Sequence, residues 1–254
     1  MKQMYEVWIA VRSVVIWFIA LLMLFIVVCL AILSYPFRLY HFVHILAETY
    51  ARFVLFISGV RFRISGIENL EETGPFIVVS NHQSMFDAVA MYTFLEIPFR
   101  WVAKASLFRI PFLGLAMKAG GYISVERDQP RKAAVSLLEA ARGVNSGISV
   151  VIFPEGTRSF EDGSMRPFKN GSFLLAKKAK VTLQPVVFWG SHKIIPVKRK
   201  KLFQKIYPGK VFISIIKPIH PDDYSSLEVD EISDLIRTKM QISLDQMKLE
   251  SQKA

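Results

Sequence analysis

Residues 76–87 read FIVVSNHQSMFD, a short apolar run that stops abruptly in polar residues. A run of this length and composition is typical of a fully buried strand. Residues 149–158 read SVVIFPEGTR and show the same pattern further along the chain. Because such runs alternate with helical patterns after Gly59, the sequence predicts an α/β fold with a mixed, largely parallel sheet flanked by helices.

The alternation gives a definite order of elements. The predicted strands are residues 61–65, 76–80, 99–103, 121–125, 149–153, 182–188 and 211–216. The predicted helices of this body are residues 84–95, 111–118, 131–145, 171–178 and 227–249.

The N-terminal region has a different composition. Residues 13–37 contain no charged side chain, and as a helix they span roughly 37 Å at about 1.5 Å per residue. A bilayer core is about 30 Å thick, so we expect a retained membrane anchor rather than a cleaved signal peptide. Pro36 is expected to end this helix, and residues 39–57 form a second, amphipathic helix. The sequence thus predicts membrane-anchoring helices over residues 1–58 and one α/β domain over residues 59–254. Whether the first helix spans the bilayer or enters one leaflet stays open.

The charge is concentrated in one part of the chain. The net charge is +11, and residues 136–217 hold fifteen basic and four acidic groups. The densest run is KRKK at residues 198–201. A solvated loop, an anionic membrane surface and nucleic acid all fit such a run. The apolar N-terminus favours the membrane, and no nucleic-acid partner is expected. Cys29 is the single cysteine, which excludes a disulfide scaffold and a Cys-rich zinc site.

The polar residues after the first strand offer acid–base chemistry. In a parallel sheet, functional sites gather beyond the carboxyl ends of strands. His82 follows the strand and Asp87 lies about one turn into the next helix. A neutral histidine accepts a proton from a hydroxyl near pH 7, and a carboxylate beside it fixes the tautomer. The alternative is a histidine and an aspartate that merely cap the helix.

The second strand end offers anion recognition. Gly156 permits close backbone approach, and Arg158 presents a planar fork that fits a phosphate. Glu155 could orient a donor or hold Arg158, and a charged turn stabilised by that Glu–Arg pair is the alternative. Lys104 and Arg127 are further candidates for anion contacts. The apolar residues between them either line an acyl-chain groove or belong to the core.

Four stretches together resemble the glycerolipid acyltransferase family, specifically the 1-acylglycerol-3-phosphate (lysophosphatidate) acyltransferases. Residues 81–87 resemble its first motif, 121–127 its second, 153–159 its third and most specific motif, and 181–186 its fourth. The resemblance covers roughly residues 60–220, in the family's order and spacing.

This resemblance implies acyl transfer from a thioester on CoA or acyl carrier protein to the free sn-2 hydroxyl of lysophosphatidate, which forms phosphatidate. It makes His82 the general base and Asp87 its orienting partner, with Pro185 shaping the acyl pocket. It implies no metal, no further cofactor and a catalytic domain that faces the cytoplasm from the inner or cytoplasmic membrane. The expected acceptor-binding residues are Lys104, Arg127, Glu155, Gly156, Thr157 and Arg158.

Three alternatives remain at this point. The acceptor could be another lysophospholipid or a lyso-ornithine lipid. A hydrolase would need a nucleophile, for which only Ser84 or Ser80 lies near His82. A non-catalytic membrane lipid-binding protein would explain the anchor and the basic run, but it gives no reason for His82, Asp87 and Arg158 to occur together.

Overall fold

The computed structural model describes residues 1–72, 74–95, 97–126, 136, 140–141, 143–196 and 204–253. These residues form a seven-stranded sheet in the order β1-β7-β6-β2-β5-β3-β4. The β6–β7 pair is antiparallel, and the other neighbouring pairs are parallel. The predicted mixed, largely parallel sheet is therefore confirmed. Its strands are β1 Val60–Ser65, β2 Phe76–Ser80, β3 Phe99–Lys104, β4 Ile123–Val125, β5 Ser149–Ile152, β6 Thr182–Trp189 and β7 Gly209–Ile215.

The predicted helices also form, apart from residues 131–145, which lie largely outside the described residues. The described helices are α1 Lys2–Ser34, α2 Tyr40–Ser58, α3 Met85–Phe94, α4 Ala105–Phe108, α5 Leu113–Ala119, α6 Gly171–Ala179, α7 Ser191–Ile194, α8 Pro221–Tyr224 and α9 Val229–Lys253. Of these, α4, α7 and α8 have four residues each, which is too short to leave a periodic pattern in the sequence.

The sheet is covered on both faces, which explains why its central strand is apolar throughout. All five residues of β2 are buried. Ile77 and Val79 pack in a cluster with α6 and α9, and Phe76 and Val78 pack in a second cluster with α1, α2 and α3. A strand between two helical layers has no solvent-facing side, so it shows no alternation of polar and apolar residues.

The N-terminal helices pack on this body and on each other. The segment 2–37 is long and apolar enough to cross a membrane, by length and composition. Helix α1 begins at Lys2, well before the uncharged run, and its first half is tied to the body by polar contacts. The Arg12 guanidinium donates to the Ile206 carbonyl at 3.2 Å, and the Trp17 indole donates to the Gln204 carbonyl at 2.8 Å. Pro36 lies in the turn that ends α1, as expected. The division into domains at residue 58 stays a prediction.

Candidate active site

The carboxyl ends of five parallel strands, β2 to β6, meet at one edge of the sheet. Since β2 and β5 are direct neighbours, the loops that follow them touch. The His82 backbone N–H donates to Glu155 Oε1 at 2.9 Å, and the Ser159 N–H donates to the His82 carbonyl at 2.6 Å. The two stretches that the sequence singled out thus form one site.

His82 and Asp87 are in contact. His82 Nδ1 lies 3.1 Å from Asp87 Oδ2. The carboxylate is fully buried and has two further donors, the Ser84 N–H at 2.7 Å and the Ser191 hydroxyl. Since Ser84 is the N-cap of α3 and Asp87 its third residue, the pair forms a capping box. Asp87 therefore caps the helix and also contacts the histidine, while the acid–base roles of His82 and Asp87 stay predictions.

The His82 ring is fixed in orientation. It stacks on Phe153 with ring centroids 4.1 Å apart and an interplanar angle of 13°, and Phe153 stacks in turn on Trp101. About a fifth of the His82 side chain is exposed. With Nδ1–H donating to Asp87, the neutral ring presents Nε2 as its proton acceptor. This arrangement suits a general base for a substrate hydroxyl.

Glu155 connects the loop after β2 with the loop after β5 instead of pairing with Arg158. Its side chain is buried, and Oε1 accepts from the His82 N–H and from the Ser159 hydroxyl at 2.8 Å. Oε2 accepts from the Arg166 N–H at 2.8 Å. Burial raises the pKa of Glu155, although these donors oppose the shift. Whether Glu155 also contacts a substrate stays a prediction.

The remaining residues of the third motif lie around the Glu155 side chain. Gly156 has a φ of +69°, and a Cβ there would lie 3.1 Å from Lys169 Cε, so the position favours glycine. Thr157 is exposed and Arg158 is half-buried. The Arg158 carbonyl accepts from Arg166 Nε at 2.8 Å, which fixes the loop that carries Arg158.

The other predicted site residues have different positions. Lys104 is the last residue of β3 and lies at the same edge of the sheet. Arg127 lies outside the described residues. Pro185 is buried inside β6 opposite Val79, so it belongs to the sheet and not to the loops. The proposed roles of all three stay predictions.

A buried network around Gln83, next to His82 in the chain, is not among the sequence predictions. Gln83 Nε2 donates to the Gly163 carbonyl at 2.7 Å, and Gln83 Oε1 accepts from the Gly190 N–H at 3.1 Å and from His192 Nδ1 at 3.0 Å. Burial lowers the pKa of His192 to about 4, so the ring is neutral. The sequence does carry a signal for this network, because β6 also ends abruptly in the polar residues Ser191 and His192.

Comparison with known proteins places this site in a family. The Acyltransferase family model matches residues 61–189, which contain His82, Asp87 and Arg158. The chain belongs to the Acyltransferase family. The family predicted from the four motifs is confirmed.

Individual relatives carry more specific names. A chloroplastic 1-acyl-sn-glycerol-3-phosphate acyltransferase of Arabidopsis thaliana is 33% identical over 227 residues, which are 86% of this chain and 60% of that protein. The 1-acyl-sn-glycerol-3-phosphate acyltransferase alpha of Mus musculus is 31% identical over 73% of this chain and 64% of its own length. The chain thus spans less than two thirds of the length of these relatives.

A solved member of the family has the same fold over its whole length. The crystal structure of the 1-acyl-sn-glycerophosphate (LPA) acyltransferase PlsC from Thermotoga maritima superposes with a TM-score of 0.77 and 25% identity. The match covers 98% of both chains. The N-terminal helices are therefore part of the shared architecture.

Proposed function

We propose that the protein transfers a fatty acyl group from an acyl thioester to the free sn-2 hydroxyl of lysophosphatidate, which forms phosphatidate. The observation that carries the proposal is the His82–Asp87 contact at 3.1 Å, at the sheet edge that also bears Arg158. The names of the relatives support the same substrate and product.

The geometry supports direct attack by the acceptor. The hydroxyl oxygen attacks the thioester carbonyl carbon while His82 Nε2 takes its proton. The tetrahedral intermediate then expels the thiolate, and the imidazolium returns the proton to that sulfur. Asp87 stabilises the imidazolium between the two steps. A base in this position contributes roughly 10²–10⁴-fold to the rate.

In this proposal, residues of the third motif bind the phosphate of lysophosphatidate. Arg158 presents a guanidinium that binds phosphate oxygens in pairs, and Gly156 leaves room for close backbone approach. Lys104 at the end of β3 adds a cation to the same edge, and Arg127 is proposed to do so from the second motif. Glu155 and Arg166 hold the loop that carries Arg158 and so position its side chain.

Membrane attachment belongs to the same proposal. One side of α1 exposes a long row of apolar side chains, including Phe18, Phe25 and Leu33. An enzyme whose acceptor and product dissolve in a bilayer benefits from such an anchor, since the substrate need not leave the lipid phase. Acyl-CoA and acyl carrier protein are intracellular donors, so we place the catalytic domain on the cytoplasmic side.

Hydrolysis of a lipid fits the structure less well. Ser84 is buried as the N-cap of α3, and the buried Ser80 hydroxyl donates to the Asn81 carbonyl. Neither serine is positioned to attack an ester with His82 as its base. The histidine is instead available to an incoming hydroxyl.

The direct test is a product assay with detergent-purified protein. Labelled acyl-CoA and labelled acyl carrier protein are each offered with lysophosphatidate, other lysophospholipids or a lyso-ornithine lipid. We expect labelled phosphatidate from lysophosphatidate with at least one donor. A faster reaction with another acceptor would show that lysophosphatidate is not the preferred substrate. Release of free fatty acid alone would indicate a hydrolase. No labelled product with any donor and acceptor would indicate a lipid-binding protein.

A further inference from the structure

A cavity with a mainly apolar lining and a few polar side chains lies at the opposite edge of the sheet. It has a volume of about 260 Å³ and lies between the start of α2 and the amino ends of β3 and β5. The six residues of β3 span roughly 20 Å at about 3.3 Å per residue, and this length separates the edge from the one that bears Lys104. Its lining residues include Tyr40, His41, His44, Arg100 and Gly147.

Arg100 brings a cation into this cavity. The half-buried guanidinium lies over the Tyr40 ring, with Cζ 4.9 Å from the centroid, and no ion pair of Arg100 occurs within the described part of the chain. The guanidinium also lies against Gly121, where an added Cβ would be 2.8 Å from Cζ. Glu48, one turn after His44 on α2, is paired with Arg52 at 2.8 Å. A half-buried guanidinium without an ion-pair partner would be stabilised by a bound anion.

His44 supplies an independent observation. Its side chain lines the cavity and is about nine-tenths buried. Its Nδ1 is buried, and it has no hydrogen-bond partner among the residues that the structure describes. The ring packs against Phe99 and Tyr92. Because buried polar atoms are normally satisfied by protein, water or ligand atoms, this nitrogen is a candidate partner for a polar ligand in the cavity.

An apolar groove continues from the cavity along α2. The groove has a volume of about 570 Å³ and shares Tyr40 and His41 with the cavity. Leu39, Phe42 and Ile45 line it and are exposed, and Arg38 adds another cation at its side. It starts immediately after the apolar segment 2–37, so it lies where lipid chains would be available.

We propose that this cavity and groove bind an anionic phospholipid, with the phosphate beside Arg100 and His44 and an acyl chain along Leu39, Phe42 and Ile45. The site is separate from the one that contains His82, and it does not rest on the proposed acyl transfer. Its occupation would attach the start of α2 to an anionic leaflet.

The test counts bound lipid by native mass spectrometry of the full chain in detergent, with dioctanoyl phosphatidate as the probe. We expect Arg100→Gln to weaken one binding event by roughly tenfold or more, as the loss of a charged phosphate contact implies. Arg63→Gln, which removes an exposed arginine from β1, is the matched control and should bind as the wild type does. His44→Phe, which fills the same space without a ring nitrogen, should also weaken binding. Unchanged binding in both Arg100→Gln and His44→Phe would overturn the proposal.

Two further probes identify the source of the phosphate. Dioctanoylglycerol has the same chains without the phosphate and should bind far more weakly; equal binding would overturn phosphate recognition. Inorganic phosphate should not displace the lipid at equal concentration, and displacement would show a site for free phosphate instead. Arg100→Gln should keep its acyl transfer rate in detergent, which also shows that the variant folds. If the wild type showed no acyl transfer, the proposed function would fail, but these binding results would still hold.

Discussion

Asp87 serves the helix and the histidine at once, so a change there affects both stability and rate. Asp87→Asn keeps the size of the side chain but removes the charge that stabilises the His82 imidazolium. We expect kcat to fall by roughly 10²-fold or more. The free energy of unfolding should fall by about 1–3 kcal/mol, because an amide group then faces the buried Ser84 N–H.

Steady-state kinetics and urea unfolding measure the two effects separately. Asp222→Asn, an exposed position in α8, is the control and should change neither. An Asp87→Asn variant with the wild-type kcat would contradict the role assigned to the carboxylate.

His192 makes stability depend on pH. Its pKa is about 4 in the folded chain because of burial, against an ordinary value of 6.5. Between these values the unfolded chain binds a proton at this position and the folded chain does not, so the free energy of unfolding falls as the pH falls from about 6.5 to 4. His192→Asn, which keeps a donor for Gln83, should show a flatter dependence in this window. Identical slopes for the variant and the wild type would contradict the assignment.

At the scale of elements, the site is a consequence of strand order. The sequence predicts His82, Asp87, Glu155 and Arg158 because each follows a strand that ends abruptly. It does not predict that Ser191 contacts Asp87, since that contact depends on the pairing of β2 with β6, which are a hundred residues apart in the chain. Nor could it predict that Glu155 bonds to backbone N–H groups, because such partners leave no trace in the sequence.

The end of α6 provides a test of local backbone energetics. Lys180 adopts the left-handed conformation with φ 53° and ψ 51° and is exposed. Glycine avoids the steric cost of this conformation, so Lys180→Gly should raise the free energy of unfolding by about 1 kcal/mol. Lys178→Gly makes the same change inside the helix and should lower the free energy of unfolding by about 1 kcal/mol. Urea unfolding of both variants checks the opposite signs, and two changes of the same sign would refute the argument.

At the scale of the whole molecule, α1 has two kinds of surface. One side of its first half is bound to the body through Arg12, Ser13 and Trp17. The opposite side of the helix exposes apolar residues to the surroundings. The uncharged run predicts an apolar helix, but not these polar ties, because their partners are carbonyl and amide groups distant in sequence. Residues 197–203, which contain the basic run, lie outside the described residues.

That basic run supports a prediction about membrane binding. Changing Lys198, Arg199, Lys200 and Lys201 to glutamate should weaken binding to vesicles rich in phosphatidylglycerol, since each well-placed cation contributes about 1 kcal/mol at an anionic surface. Binding to neutral phosphatidylcholine vesicles should change little, because α1 still supplies apolar area. A flotation assay measures both, and unchanged binding to the anionic vesicles would exclude a basic contact patch.

The central claim is that His82 is the base in acyl transfer to lysophosphatidate. The most direct measurement compares phosphatidate formation by the wild type, His82→Ala and His220→Ala with the same donor. His220 lies beside Thr182, at the other end of β6 from the site, and its replacement controls for the loss of a histidine. We predict that His82→Ala loses roughly 10²–10⁴-fold in kcat while His220→Ala keeps the wild-type rate. Full activity in a folded His82→Ala protein would contradict the mechanism.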